Sequence, residues 1–397
     1  MRPLTLLLIG VVSRLGAGIA ATVSALYVTQ VVGLSLRSVG LALTATTAVA
    51  VAGSIWLGHL SDRLGAREVF AAMFTMQAVA TAGLVFVSNV PTYVVAVLGL
   101  AIADLGYRSS QGAVIHGVVP PEERLAVRAK FRVAANIGVA GGAGLGGVAL
   151  AIGSPTAYRA ALLTTAGFLL LTGALVFRLP RVPRVVTSEK QSWAVLRDRP
   201  FVLFVGLNGI LNIHNSMLTL AIPLWIATRT DVPHWMVSVL LIVNTSAVVL
   251  CQIRLTRGTD SLRGAARAGR RAGVLLCLAC VVLSLTTLGS TAVTITLLVI
   301  AALAHVTGEI LESASGWGAS YAVAPPGLVG QYQGAHAMGR GLGDLLGPTL
   351  LTAVALPLGP IGWLLVAIIF ATAGSLTPVV LRPEATACRS GRARLSG

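Results

Sequence analysis

Gly58-His59-Leu60-Ser61-Asp62-Arg63-Leu64-Gly65-Ala66-Arg67 is a short polar interruption between two apolar runs, residues 38–58 and 68–88. About 20 residues of helix cross the hydrocarbon core of a bilayer, so the interruption reads as a tight loop between two membrane spans. Gly58 and Gly65 let the chain reverse there. Outward from it the same alternation fills the chain. Charge, Pro and Gly punctuate twelve apolar runs: 4–32, 38–58, 68–88, 91–115, 130–152, 157–178, 200–227, 234–254, 272–289, 291–315, 329–354 and 358–381. The sequence therefore predicts an all-α, twelve-span membrane protein.

Composition agrees. Of 397 residues, 55% are apolar and 11% charged, against about 25% charged in an ordinary globular domain, and mean hydropathy is +0.86. A fully solvated surface is excluded. Arg2 followed by Leu4–Val12 looks like a secretory leader, but the apolar run continues to Val32, which makes it a retained first span. Cys277 and Cys280 have a metal-like spacing inside an apolar run, with no second ligand pair, and read as buried free thiols; the other cysteines are Cys251 and Cys388.

The net charge of +16 would suggest nucleic acid in a soluble chain, but the placement of the basic residues argues otherwise. Arg2, Arg63, Arg67, the Arg124–Arg132 group, the stretch 178–199, the Arg254–Arg271 cluster and the tail from Arg382 fall on one side, giving 23 of the 29 Lys and Arg. The other side has Arg37, Arg159 and Arg229, and Arg14, Arg108 and Arg340 lie within spans. Cytoplasmic loops retain positive charge, so both termini are expected in the cytoplasm and no nucleic-acid partner is implied. Arg outnumbers Lys 27 to 2, which we read as the mark of a high-GC bacterial genome.

The linker, with Pro180, Pro183, Arg181, Arg184, Lys190 and Arg197, divides the spans six and six. Landmarks then recur at a near-constant offset, as in transporters built from repeats. Arg14 lies 200 residues before His214, Asp62 198 before Asp260, Asp104/Arg108/Gln111 201 before His305/Glu309/Glu312, and Gly138/Gly142 205 before Gly343/Gly347. The expected organisation is a six-helix bundle at 1–178, the cytoplasmic linker, a second bundle at 200–381, and a cytoplasmic tail at 382–397.

Three stretches resemble motifs of the major facilitator superfamily. The loop 58–67 matches G-x-L-x-D-R-x-G-R-R except at Ala66, and the resemblance makes Gly58, Asp62, Arg63, Gly65 and Arg67 a conformational latch joining the two halves on the cytoplasmic side. Asp62 could sit against a helix N-terminus, and the arginines near carboxylates or lipid phosphates. Its counterpart Thr256–Gly264 keeps Asp260 and little else. Gly138, Gly142, Gly146 and Gly147 look like the antiporter motif G-x-x-x-G-P-x-x-G-G with Ala143 for Pro, and Gly347-Pro348 repeats part of it. Small residues four apart also have a packing reason of their own. Arg108-Ser-Ser-Gln111-Gly112 resembles the R-x-x-Q-G motif, whose Arg is implicated in proton coupling. Together these resemble the twelve-span drug/proton antiporters.

Ionisable residues at bilayer depth cost roughly 2.5–3.5 kcal/mol each on insertion scales, so they are normally paired or face a wet cavity. Asp104, Arg108 and Gln111 share one helix face, as do His305, Glu309 and Glu312, and Asn208, Asn212 and Asn215. His336, Arg340 and Asp344 add a stripe on span 11. Glu309 and Glu312, a turn apart with no Lys or Arg on their helix, should disfavour simultaneous ionisation, so that one holds a proton near neutral pH. Cross-helix pairing of these carboxylates with Arg14 or Arg340, and purely structural pairing within Asp104/Arg108 and Arg340/Asp344, are the alternatives. His59 and His116 read as solvated, His234 as the start of an outer helix, and Trp56, Trp225, Trp235, Trp317 and Trp363 as interfacial anchors.

The reading is a multi-pass cell-membrane exporter of a small organic compound, driven by protons, acting as a monomer without cofactor or metal. Glu309, Glu312, Asp104, Arg108, Asp344 and Arg340 would couple protons; Arg14, Asn208, Asn212, His214, Asn215 and His305 would line the cavity. The absence of a GxxxxGK[ST] loop removes ATP as a direct energy source, and no nucleophile motif suggests an enzyme. An importer or facilitator of sugars or metabolites remains the alternative, followed by a non-transporting sensor.

Overall fold

The computed structural model describes residues 2–182, 194–233, 235–325 and 327–381. Part of the expected linker including Pro183, Arg184 and Lys190, together with His234, the tail from Arg382 and Cys388, lies outside the described residues. Everything described is helix or short connection. In lipid each backbone N–H and C=O must find its partner within the chain, and a helix does this locally.

By contacts the chain forms two compact units, Met1–Trp193 with Pro325–Met338, and Ala194–Ala324 with Gly339–Gly397. The first holds α1 (Arg2–Leu26, continued by a π-helical turn at Tyr27–Val31), α2 (Leu36–Leu64), α3 (Ala66–Gly83), α4 (Val90–Val118), α5 (Arg124–Ile152) and α6 (Pro155–Val176). The rest is α7 (Ala194–Arg197), a rod broken into α8 (Arg199–Asn212), α9 (His214–Ser216), a π turn (Met217–Ala221) and α10 (Ile222–Arg229), then α11 (Met236–Leu255), α12 (Leu262–Ser284), α13 (Thr291–Val323), α14 (Val329–Leu350, with a π turn at Leu351–Ala355) and α15 (Pro360–Val380). The first part of α14 groups with the first unit.

Helix starts follow capping chemistry. Ser35, Asn89, Ser154, Asp198 and Ser261 each accept a backbone N–H three residues on, a contact typically worth about 1 kcal/mol. Pro91, Pro155 and Pro200 occupy first-turn positions, where no amide donor is needed.

Among the described residues, nine helical segments are long and apolar enough to cross a membrane. With an exposed surface that includes Phe86, Val95, Leu250 and Leu288, they make this a multi-pass integral membrane protein. Three of the twelve expected runs are helical but fall outside that set: α11, α12 and α14. For α12 the reason is visible. The helix begins at Leu262 instead of 272, taking in the exposed Arg263, Arg267, Arg270 and Arg271, while its Gly and Ala face packs against α13 and α15.

The break read as a loop at 58–67 is narrower than expected. α2 runs through Gly58 to Leu64, and only Gly65, at φ +103°, separates it from α3. That backbone conformation favours glycine strongly. Gly58 serves close approach instead: a Cβ there would overlap the carbonyl oxygen of Gly330.

The tryptophan reading also needs correction. Trp56 and Trp235 are exposed, but Trp225 and Trp363 are fully buried and pack edge to face at 5.8 Å, and Trp317 is buried too. The indole N–H of Trp225 donates to Thr286 at 2.8 Å, which gives it a core role near the end of its rod.

Candidate functional site

In the first unit α5 lies along α1 on glycine. A Cβ at Gly138 would meet the Val11 carbonyl oxygen at 2.6 Å, one at Gly142 would overlap that of Leu15, and one at Gly146 would press on Thr22. Gly147 has no such neighbour and stands off this seam. The second unit repeats the device. Gly343 of α14 faces the carbonyl oxygen of Gly209 in α8, and Gly347 faces the Ser216 hydroxyl of α9. Pro348 removes one backbone donor inside α14, and the π turn follows; Ala143 leaves α5 an unbroken α-helix.

In the first unit, polar groups of α1 and α4 also meet. The Arg108 Nε donates to Asp104 Oδ2 at 2.8 Å, both side chains about one-third exposed. Arg14 lies over the Tyr107 ring at 5.1 Å, and the Gln111 amide donates to the Tyr107 hydroxyl at 3.2 Å. Arg14, Asp104, Tyr107, Gln77, Ser13 and Thr165 are among the residues lining a cavity of about 200 Å³ within this unit. A larger groove of about 990 Å³ borders α3 and α4, but its lining is apolar apart from Glu68, Thr75 and Thr92, and it offers little chemistry.

At the end of α2, Asp62 accepts backbone N–H groups from Gly330 at 2.7 Å and Gln331 at 3.0 Å, the first turn of α14. Arg67 donates to the Leu179 carbonyl and to Glu68, while Arg63 is exposed. His59 is buried, with its Nδ1 3.2 Å from the Gln331 amide nitrogen, and is not the solvated residue the sequence suggests. The second-half counterpart Asp260 is exposed.

In the second unit the charged groups form one buried cluster at the break between α8 and α9. Glu312 is fully buried, with Oε2 3.5 Å from Arg340 Nη1 and 3.6 Å from His214 Nε2. Glu309 Oε2 accepts from the Asn244 amide at 2.9 Å and lies 3.9 Å from His305 Nδ1. His305 Nε2 is 3.0 Å from the His214 carbonyl oxygen.

Of the pairings the sequence left open, Arg340 makes the cross-helix one with Glu312, and Asp344 accepts from the amides of Asn212 at 2.8 Å and Asn215 at 3.1 Å, so the intrahelical Arg340/Asp344 pair is not what these groups make. The asparagines face carbonyls and a carboxylate, Asn208 reaching the Glu312 carbonyl at 3.4 Å, and tie the broken rod to α13 and α14. Asn244 was missed. A single amide in the Val/Leu-rich α11 was its only signal.

A sequence profile described as Major Facilitator Superfamily matches residues 6–348. The chain belongs to the major facilitator superfamily. It is 30% identical over 148 residues to an uncharacterized MFS-type transporter, YttB, of Bacillus subtilis (strain 168), an alignment spanning 37% of each chain. Among solved structures, a bacterial homologue of the iron transporter ferroportin in an outward-facing state superposes with TM-score 0.76 at 15% identity, covering 96% of this chain and 98% of that one. The human organic anion transporter MFSD10 (TETRAN) does so at 0.66 and 17% identity, covering 96% and 98%. A point mutant of the nucleoside transporter NupG gives 0.57 and 17%, covering 96% and 99%. At these identities the likeness is one of fold alone.

Proposed function

We propose that this superfamily member is a proton-coupled secondary transporter that exports a small organic compound by alternating access. In this reading twelve spans form two six-helix bundles, 1–178 and 200–381, joined by the linker 179–199, with both termini cytoplasmic and the monomer as the working unit. The observation that supports it most is the pair of buried carboxylates one turn apart on α13, set in different surroundings. Arg340 stands against Glu312, whereas an amide and an imidazole stand against Glu309. In this reading Glu309, with an amide and an imidazole among its neighbours, is the group that trades a proton between the two faces of the membrane. Glu312/Arg340 and Asp104/Arg108 are ion pairs that rearrange with it, with Asp344 held by its asparagines. The cargo is amphipathic, with a charge complementary to Arg14 or Glu309, and the glycine seams resembling the antiporter motif favour export.

The test uses inverted membrane vesicles with an imposed pH gradient and a panel of toxic organic cations and anions. Wild-type protein dissipates the gradient when its cargo is added. Glu309→Gln, which keeps the shape and removes the titrating oxygen, abolishes that response. Wild-type rates in both Glu309→Gln and Glu312→Gln overturn the proton-coupled reading, and cargo movement without the gradient replaces it with facilitated transport.

A further inference from the structure

We propose that His214, His305 and Glu309 form a binding site for one divalent transition-metal ion. The three residues are buried, and one ligand atom from each lies within 4.8 Å of the others. Two imidazoles and a carboxylate are the donor set of borderline ions such as Zn2+, Co2+ and Ni2+, not of Mg2+ or Ca2+, which prefer all-oxygen shells.

The hydrogen bonds around the three groups are those that prepare ligands. The His214 carbonyl can only accept, so the proton of His305 sits on Nε2 and Nδ1 keeps its lone pair. That Nδ1 has no hydrogen-bond partner and looks across 3.9 Å at Glu309 Oε2, another acceptor. Two buried acceptors facing each other repel unless a cation lies between them. A tetrahedral ion with bonds of about 2.0–2.1 Å separates adjacent donors by about 3.4 Å, so the 3.9 Å pair closes by about 0.5 Å and the widest separation, within 4.8 Å, by up to about 1.4 Å, through side-chain rotation. The Asn244 amide orients the Glu309 carboxylate.

His214 is 1% exposed, and neither ring nitrogen has a hydrogen-bond partner. With Nε2 turned to Glu312 at 3.6 Å, Nδ1 is the nitrogen left to ligate. Closed to hydrogen-bond length, the approach of Nε2 to Glu312 would complete a carboxylate–histidine–metal chain, with Arg340 beside the carboxylate. His214 also opens the three-residue α9, between the end of α8 and a π turn, a kind of break that recurs at functional sites. The site goes beyond the transport reading, shares Glu309 with it, and is tested by a measurement that does not depend on transport.

The experiment uses the full chain, purified without a histidine tag, stripped with chelator and reconstituted in lipid nanodiscs. Titration with Zn2+ by calorimetry gives one equivalent per chain, undisturbed by excess Mg2+, and Co2+ gives the intense visible bands of a tetrahedral complex. His214→Gln, His305→Gln and Glu309→Gln each weaken binding by at least about 100-fold, the upper end of what losing a supporting residue costs; His116→Gln, far along the chain in α4, leaves it unchanged. Absence of saturable binding by monodisperse wild-type protein, a weak octahedral Co2+ spectrum, or wild-type affinity in the His214→Gln/His305→Gln double variant overturns the proposal. The Co2+ spectrum needs no variant, so a variant that fails to fold does not remove the test. Binding without proton-driven transport overturns the export reading alone, and transport without binding overturns this one alone.

Discussion

Asp62→Asn removes a charge from the first turn of α14. The two amides it faces, Gly330 and Gln331, are among the first four of that helix, which have no intrahelical acceptor. Hydrogen bonds to a charged group contribute about 1.5–3 kcal/mol each, and neutral ones about 0.5–1.5. Asn keeps one carbonyl oxygen, so one bond survives in its neutral form, while the new NH2 turns a donor towards the other amide. Discounted for the partial exposure of Asp62, the loss is about 2–3 kcal/mol, or roughly 30- to 140-fold in the opening equilibrium at 1.4 kcal/mol per tenfold. Hydrogen–deuterium exchange of a peptide covering 329–338 reads this directly, because the amides exchange only when the contact opens. Their exchange should rise by that factor in Asp62→Asn and stay at the wild-type rate in Arg63→Gln, whose side chain is exposed. A rise of less than about threefold in a folded Asp62→Asn protein would refute the assignment of this contact to Asp62.

Gly142→Ala drives a methyl into the Leu15 carbonyl and should lower the melting temperature by several degrees, at about 1–3 kcal/mol for overpacking, whereas Gly144→Ala, with nothing within 4 Å, should be neutral or slightly stabilising; differential scanning fluorimetry compares them. Asp104→Asn and Arg108→Gln each remove one half of the pair, with Arg14 also acting on Asp104, so fluorescence size-exclusion should show each single variant less well folded than the double; additive losses would show that the two do not act as a pair. Thr286→Val leaves the buried Trp225 N–H without its acceptor and should cost about 1–3 kcal/mol, read as a fall in melting temperature that Thr286→Ser does not produce.

The helices were legible because a lipid-spanning segment must be long and apolar, and the sequence punctuates its runs with charge, Pro and Gly. Asp62 against a helix start and Asp104 beside Arg108 were legible for a related reason: a rare charge in such a chain is conspicuous, and i, i+4 neighbours meet on any helix. What stayed hidden was which apolar face turns inward. In a soluble helix the polar side marks the outside, but here both faces are apolar, so Trp225 and Trp363 could not be told from interfacial anchors, and His59 could not be told from a solvated residue. The partner of Arg340 was only narrowed to Asp344 on its own helix or the carboxylates of α13, because the choice of Glu312 depended on packing between distant segments. Asn244 carries no charge and broke no hydropathy run, so its contact with Glu309 left no trace in the pattern.

The glycine seams have a consequence for how this chain can change over time. Every missense substitution of a glycine codon installs a larger residue, since no amino acid is smaller. At Gly142 or Gly343 the first step away is therefore already a collision with a neighbouring backbone carbonyl, with no intermediate size to test. A first-base change can turn a glycine codon directly into one for arginine, a long charged misfit. Purifying selection on these codons thus follows from helix spacing alone, whatever the protein moves.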